Sequence, residues 1–324
     1  VSSIALERMD LPIPCPIDAG WELVRRVALP RKGADGLPLG GFSAAAYLPE
    51  SDRLWLLSDA PQGHLVPWGG LARVLRSPRA KLNPGPRLLL KDNAGRLLPP
   101  HFDGEGLVLD QDRAWIVSEG RRTATRSAGL LRFSLQTGRQ QESLPLPSSW
   151  VASPGKGLAA NKGPESLTML GSGDLLMAAE KPLLQSDENA PIPLARSIAG
   201  APPQPVGSLD LSSAAPADGL TDLLALPRQR RLFALVRGYK PPMAWSAHLL
   251  LFPLETTPLP LQPLIGWDLL GVGLPADNWE ALALGPRLGD GRSTVVLVSD
   301  DNFNPLQSSW VVVLAPRRTS ACPS

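Results

Sequence analysis

The segment NWEALALGPRLGDGRSTVVLVSDD, residues 278–301, holds two apolar runs, 281–284 and 294–298, separated by a turn rich in Gly, Pro and Asp. Short apolar runs bounded by turn residues read as strands buried on both faces. A polar residue stands at each end of this hairpin, Glu280 before the first run and Asp300 after the second. The same unit recurs upstream as GGFSAAAYLPESDRLWLLSDA from Gly40, DGEGLVLDQDRAWIVSEG from Asp103, PESLTMLGSGDLLMAAE from Pro164 and DGLTDLLALPRQRRLFALVR from Asp218. The spacing is about 60 residues, and a period of that length built from strands specifies a repeat architecture.

Further runs follow each hairpin. A third strand is expected at 72–75, 130–135, 194–198, 248–253 and 309–314, and a fourth at 87–90, 142–146, 206–211 and 261–270. The fifth unit lacks a fourth run, while a strand-like segment at 21–29 precedes the first unit and belongs to none. Joining the two closes a ring without an unpaired first or last blade. The expected fold is therefore all-β: a propeller of five four-stranded blades, closed by the N-terminal strand in the last blade. A sixth blade would have to hide in a long stretch such as 182–217. One domain over residues 1–324 is expected, with the closing strand at about 21–29 and the repeats at about 40–316.

Composition agrees. There are 36 Pro and 30 Gly, more punctuation than long helices tolerate, and 43% apolar residues, too many for a disordered chain. The charge is nearly balanced, 32 basic against 30 acidic residues, so no global field recruits nucleic acid or an anionic membrane. No run is long and apolar enough to span a bilayer as a helix. A monomer is expected.

The only two cysteines, Cys15 and Cys322, lie near opposite ends of the chain. A closed ring brings its ends together, so a Cys15–Cys322 disulfide is expected, two unrelated thiols being the alternative. Such a bond implies an oxidising compartment, hence a secreted or periplasmic protein whose leader was removed before Val1.

Aligned on their first runs, the repeats place Ser43, Glu105, Glu165, Asp222 and Glu280 at one position, and Asp59, Glu119, Glu180, Arg237 and Asp300 at another. In antiparallel hairpins around an axis, both sets fall at one end of the channel. Carboxylates crowded there repel unless protonated or neutralised by a cation. Oxygen ligands in that number suit calcium, and the tail adds Asp301 and Asn302. Zinc is disfavoured, since His64, His101 and His248 are scattered. Acids at strand ends also serve simply to accept backbone hydrogen bonds between blades. Arg237 breaks the acidic pattern and suits an anionic substrate. Lys181, Lys240, Arg121 and Arg122 follow second strands and add positive charge to the rim, unless they are merely solvated. No GxSxG elbow, Walker loop or dinucleotide fingerprint occurs. Trp55, Trp115 and Trp279 read as blade packing.

The motifs DGEGLVLD…WIVSEG, NKGPESLTML…LMAAE, DGLTDLLAL…ALVRG and DNWEALALGPRLGDGRSTVVLVSDDNFNP resemble the phytase-like family, "esterase-like activity of phytase", from about Gly40 to Leu314. The resemblance implies a secreted or periplasmic propeller that hydrolyses phosphomonoesters or related small anionic esters with the help of calcium. Glu105, Glu165, Glu280 and Arg237 would be catalytic, and Arg237, Lys181 and Lys240 would grip the substrate. Asp59, Glu105, Glu119, Glu165, Glu180, Asp222, Glu280, Asp300, Asp301 and Asn302 would hold the metal. A non-catalytic propeller that binds calcium, a small ligand or a protein partner at its acidic mouth is the reading from another class.

Overall fold

In the computed structural model, residues 12–33, 35–58, 62–100, 102–120, 128–171, 173–215, 218–242, 244–255, 257, 259–320 and 322 are described. The chain enters through β1 (Trp21–Ala28) and then lays down its blades in order. Blade one is β2 (Phe42–Leu48), β3 (Arg53–Ser58) and β4 (His64–Gly69), with two short strands, β5 (Asn83–Pro84) and β6 (Leu88–Leu89), both pairing with β4. Blade two is β7 (Gly104–Asp110), β8 (Arg113–Ser118), β9 (Gly129–Ser134) and β10 (Gln140–Pro145). Blade three is β11 (Pro164–Met169), β12 (Leu175–Ala179), β13 (Ile192–Ser197) and β14 (Gln204–Leu209). Blade four is β15 (Gly219–Leu226), β16 (Arg231–Lys240), β17 (Ala244–Pro253) and β18 (Ile265–Asp268). Blade five is β19 (Asn278–Leu284), β20 (Val295–Asp300) and β21 (Trp310–Pro316), and β1 completes it as the outer strand.

The closure expected from the sequence is present. β1 pairs antiparallel with β21, from Trp21 opposite Pro316 to Ala28 opposite Trp310. Cys15 and Cys322 form a disulfide beside that seam, and the Cys15 amide donates to the Arg317 carbonyl at 2.9 Å. The 182–217 stretch supplies β13 and β14 of blade three and no sixth blade.

Each inner strand touches the next, β2 to β7 to β11 to β15 to β19 and back to β2, so these five line the axis. Alternation along the strands explains how they hold. Leu54 and Leu56 of β3 pack against blade five, whereas Trp55 and Leu57 of the same strand pack against blade two. Five such cores fill the five junctions between neighbouring blades. This is why the strands read as unbroken apolar runs: both faces of every sheet are covered. Trp55, Trp115 and Trp279 lie in these cores, as expected.

One expected strand is a helix. Residues 71–76 form a single helical segment, and the third strand of blade one is β4, immediately upstream. Leu71 and Val74 are buried, the i, i+3 spacing of a helix face, while Arg73 and Arg76 lie in its last turn and favour its negative end. Among the described residues no helix is long and apolar enough to cross a membrane.

Candidate functional site at the axial mouth

Every inner strand carries a register shift one or two residues after it begins. The extra residue is Ser43 in β2, Glu105 in β7, Glu165 in β11, Thr221 in β15 and Glu280 in β19. A bulge sets two residues against one and re-aims a side chain, which suits a site at the rim of a channel. The sequence alignment puts Asp222 in this set. The structure puts Thr221 there, one residue earlier, because the alignment follows carboxylate chemistry whereas the ladder follows register. Asp222 is instead buried between blades four and five, where Leu223 and Leu282 amides donate to its two oxygens at 2.8 and 2.7 Å. Burial pushes its carboxyl well up, and those two amides only partly oppose this.

The bulge residues divide by chemistry. The short hydroxyls seal one blade to the next: Ser43 Oγ donates to the Gly104 carbonyl at 2.5 Å, and Thr221 Oγ1 to the Trp279 carbonyl at 3.1 Å. Glu165 and Glu280 each reach a residue of the second polar set in the preceding blade. Glu280 accepts from Arg237 Nη2 at 2.6 Å, and Glu165 is hydrogen-bonded to Glu119. The second polar set lies at one level, since Glu119, Glu180 and Asp300 follow or end their second strands and Arg237 stands at the same height inside the longer β16. Asp59, the fifth member, lies outside the described residues, as do His101, Arg121 and Arg122.

Several of these acids are occupied. Glu119 Oε1 accepts the Gly163 amide at 2.5 Å, and a Cβ on Gly163 would strike the Glu119 side chain, so glycine is required for this approach. Glu180 is buried and accepts Lys162 Nζ on both oxygens at 2.8 Å. Asn278 Nδ2 joins Arg237 on Glu280, at 2.7 Å. Asp301 accepts amides from Gly41 and Phe303, both at 3.1 Å, and so fastens blade five to blade one. Asp300 accepts the Asn302 amide at 2.8 Å within a turn where Asn302 is exposed. Lys162, Asn278 and Thr221 escaped the sequence analysis, although each neighbours a glutamate or aspartate that it had singled out.

The electrostatics single out one pair. Glu165 is fully enclosed; burial raises its carboxyl far above the ordinary value of 4.5, and Glu105, Glu180 and Glu119 raise it further. Glu119 is raised too, chiefly by burial, while the bond from Glu165 favours its charged form. Both carboxyls of this hydrogen-bonded pair are raised, Glu165 the more strongly, so of the two Glu165 is the more favoured to hold a proton. For Glu280 burial also raises the carboxyl, but Arg237 draws it back. Burial disfavours the Arg237 charge, yet Glu280, Glu180 and Glu165 outweigh it and hold the guanidinium firmly protonated. Lys181 is lowered, chiefly by burial. On the other face of blade four, Ser246 Oγ donates to Asp218 Oδ2 at 2.9 Å and His248 Nδ1 lies 3.5 Å from the same oxygen. That contact with Asp218 is the leading cause of the raised His248 value. His64 is buried, its Nδ1 2.9 Å from the Gln62 carbonyl.

The arrangement does not fit a calcium cage built from all the expected carboxylates. Among the described residues no group of three or more His, Cys, Asp or Glu is placed to hold a metal ion. Lys162 and Arg237 already neutralise Glu180 and Glu280, and backbone amides take Asp222 and Asp301.

Five blades around a mouth of paired ionisable groups define a β-propeller with an acidic axial site. The chain belongs to the phytase-like family described as "esterase-like activity of phytase", whose model matches residues 37–303. Among curated proteins no sequence matches it. Solved structures with a similar outline include a putative oxidoreductase (glucose dehydrogenase) from Thermus thermophilus and a gluconolactonase from Xanthomonas campestris. The first is 12% identical with a TM-score of 0.45, covering 91% of this chain and 100% of its own. The second is also 12% identical with a TM-score of 0.45, covering 90% and 89%. At this distance neither bears on the chemistry of this chain.

Proposed function

We propose that the protein is an extracytoplasmic hydrolase of a small anionic ester, working at the axial mouth with the Glu165–Glu119 pair as acid and base. The observation that carries this reading is the hydrogen-bonded pair of carboxyls, Glu165 buried and Glu119 half-buried, both raised by burial and with Arg237 close by. Two carboxyls whose surroundings push their pKa values apart are the usual signature of divided acid and base roles. Family membership supports ester hydrolysis, and the Cys15–Cys322 bond supports an oxidising compartment.

In the proposed reaction, water attacks the ester centre while the Glu119 carboxylate takes its proton. Glu165 gives its own proton to the departing alkoxide, so that acid and alcohol leave and the pair retains one proton. That proton then passes from Glu119 back to Glu165. Arg237, aligned by Glu280 and Asn278, holds the anionic group and the charge that develops on it. Lys181, and Lys240 further out, add positive potential. Because Arg237 is already matched by Glu280, a singly charged ester suits the site better than a polyphosphate. Calcium has no part in these steps.

The test uses chromogenic carboxylate and phosphate esters, with calcium or with a chelator, on the intact protein. Turnover that survives the chelator and falls by about 100-fold or more in Glu165→Gln supports the pair as acid and base. Turnover that tracks calcium concentration transfers the role to a metal, as the family resemblance implies. Calcium binding without turnover of any ester would favour the non-catalytic module.

A further inference from the structure

Blade four differs from the others at the mouth. Its strands β16 and β17 are ten residues each, whereas β3, β8, β12 and β20 have five or six. At the level where the other second strands end, β16 has reached Arg237 and continues through Gly238, Tyr239 and Lys240. The register continues with it, placing Gly238 opposite Ser246, Tyr239 opposite Trp245 and Lys240 opposite Ala244. A two-stranded ribbon thus projects past the mouth.

Alternation fixes which way its side chains point. Phe233 and Leu235 pack towards blade five, Leu232, Ala234 and Val236 towards blade three. Arg237 continues the blade-five face and meets Glu280 there; Tyr239 is next on that face. Ala247 and Leu249 of β17 face blade five as well, so Trp245 completes the same surface. The Tyr239 and Trp245 rings lie 4.5 Å apart, tilted by 41°, and Tyr239 is 45% exposed. Their position is held from both sides. Tyr239 Oη donates to the Pro242 carbonyl at 2.6 Å, and behind the ribbon Ser246 is tied to Asp218, which packs so closely on Gly238 that a Cβ there would collide.

We propose that this ribbon is a recognition platform for a planar aromatic ring, so that the substrate class is an anionic ester bearing an aryl group. The inference rests on the mouth being the substrate site. Tyr239 and Trp245 stand about 7 Å along the strand from Arg237, the rise of two residues, a span that an aryl ring, its anionic group and a hydrogen bond of about 3 Å to the guanidinium together bridge. A sugar ring is less well served. Its hydroxyls need polar partners, and the Tyr239 hydroxyl is already engaged with the Pro242 carbonyl.

The experiment measures equilibrium binding, by calorimetry, of benzoate against acetate and of phenyl phosphate against methyl phosphate to the intact protein. It is run in parallel on the Glu165→Gln variant, so that hydrolysis plays no part in the readout. The expected result is binding of each aromatic anion about tenfold tighter than its aliphatic counterpart. Tyr239→Ala and Trp245→Ala should each bring that ratio towards one while leaving acetate affinity unchanged. Tyr239→Ala alone decides if Trp245→Ala fails to fold, since Tyr239 is half exposed at the ribbon tip. Equal affinity for aromatic and aliphatic anions, an undiminished ratio in the folded variant, tighter binding of glucose 6-phosphate than of phenyl phosphate, or no anion binding would each overturn the platform. Failure of ester turnover with the ring preference intact would sink the hydrolase reading and leave the platform standing.

Discussion

The junction between blades two and three and the junction between blades four and five bring the same two repeat positions together. In the first, Glu165 of the inner strand meets Glu119; in the second, Glu280 meets Arg237. The bulge and its register are alike, and the partner side chain differs. Where the partner is arginine, the opposite charges offset one another and the guanidinium is held in place. Where the partner is a second acid, the junction holds two carboxyls side by side, both raised by burial. Keeping such a pair costs stability in the absence of a compensating use, and it is there that chemistry is proposed.

The largest effect should come from removing the cation of the compensated junction. Arg237→Met leaves Glu280 enclosed without its ion-pair partner and should lower stability at neutral pH by about 3–5 kcal/mol, read by urea denaturation. The same variant should recover much of that loss below the usual carboxyl range, because Glu280 can then protonate. In the uncompensated junction the order reverses. Glu165→Gln should leave urea stability at neutral pH unchanged or raised, while turnover of a responsive ester falls about 100-fold or more.

The pH dependence sharpens the contrast. Glu165 has a native pKa above its unfolded value of about 4.5, so its contribution to stability is fully present below that value and is lost as pH rises through the native one. Wild-type stability from this source should therefore fall as pH climbs above about 4.5, and a series of urea melts should show the slope flattened in Glu165→Gln. A wild-type curve that instead gains stability with pH over that window, with no change in the variant, would deny the shared proton. The smallest effect belongs to the junction sealed by a hydroxyl. Ser43→Ala removes one bond to the Gly104 carbonyl and should cost about 1 kcal/mol with turnover unchanged.

Much of the fold was legible because propeller blades are covered on both faces and so write their strands as apolar runs. The leftover segment at 21–29 and the missing outer strand of the fifth unit pointed to each other, and β1 on β21 closes that ring. Residues 71–76 misled, since a six-residue apolar segment with charges at two positions satisfies a strand or one buried helical turn equally. The second ring of polar residues was legible from its fixed place after each second run. The first ring was read one residue out in blade four, because a bulge shifts register without leaving a mark in composition and Thr221-Asp222 offers two polar residues side by side.

The sequence by itself determined the propeller architecture, the order of its repeats, the closure by both termini and the general location of the ionisable residues, while five blades rather than six was settled by the structure. Those follow from periodicity and from the apolar pattern, which are properties of a one-dimensional string. Only the tertiary structure decided which acid faces which partner: Glu165 against Glu119, Glu280 against Arg237, Glu180 against Lys162, and Tyr239 and Trp245 above Arg237. Those contacts join neighbouring blades or opposing strands, and charge state depends on distance and burial across such contacts. Partners brought together by closing a ring leave no spacing in the chain that would announce them.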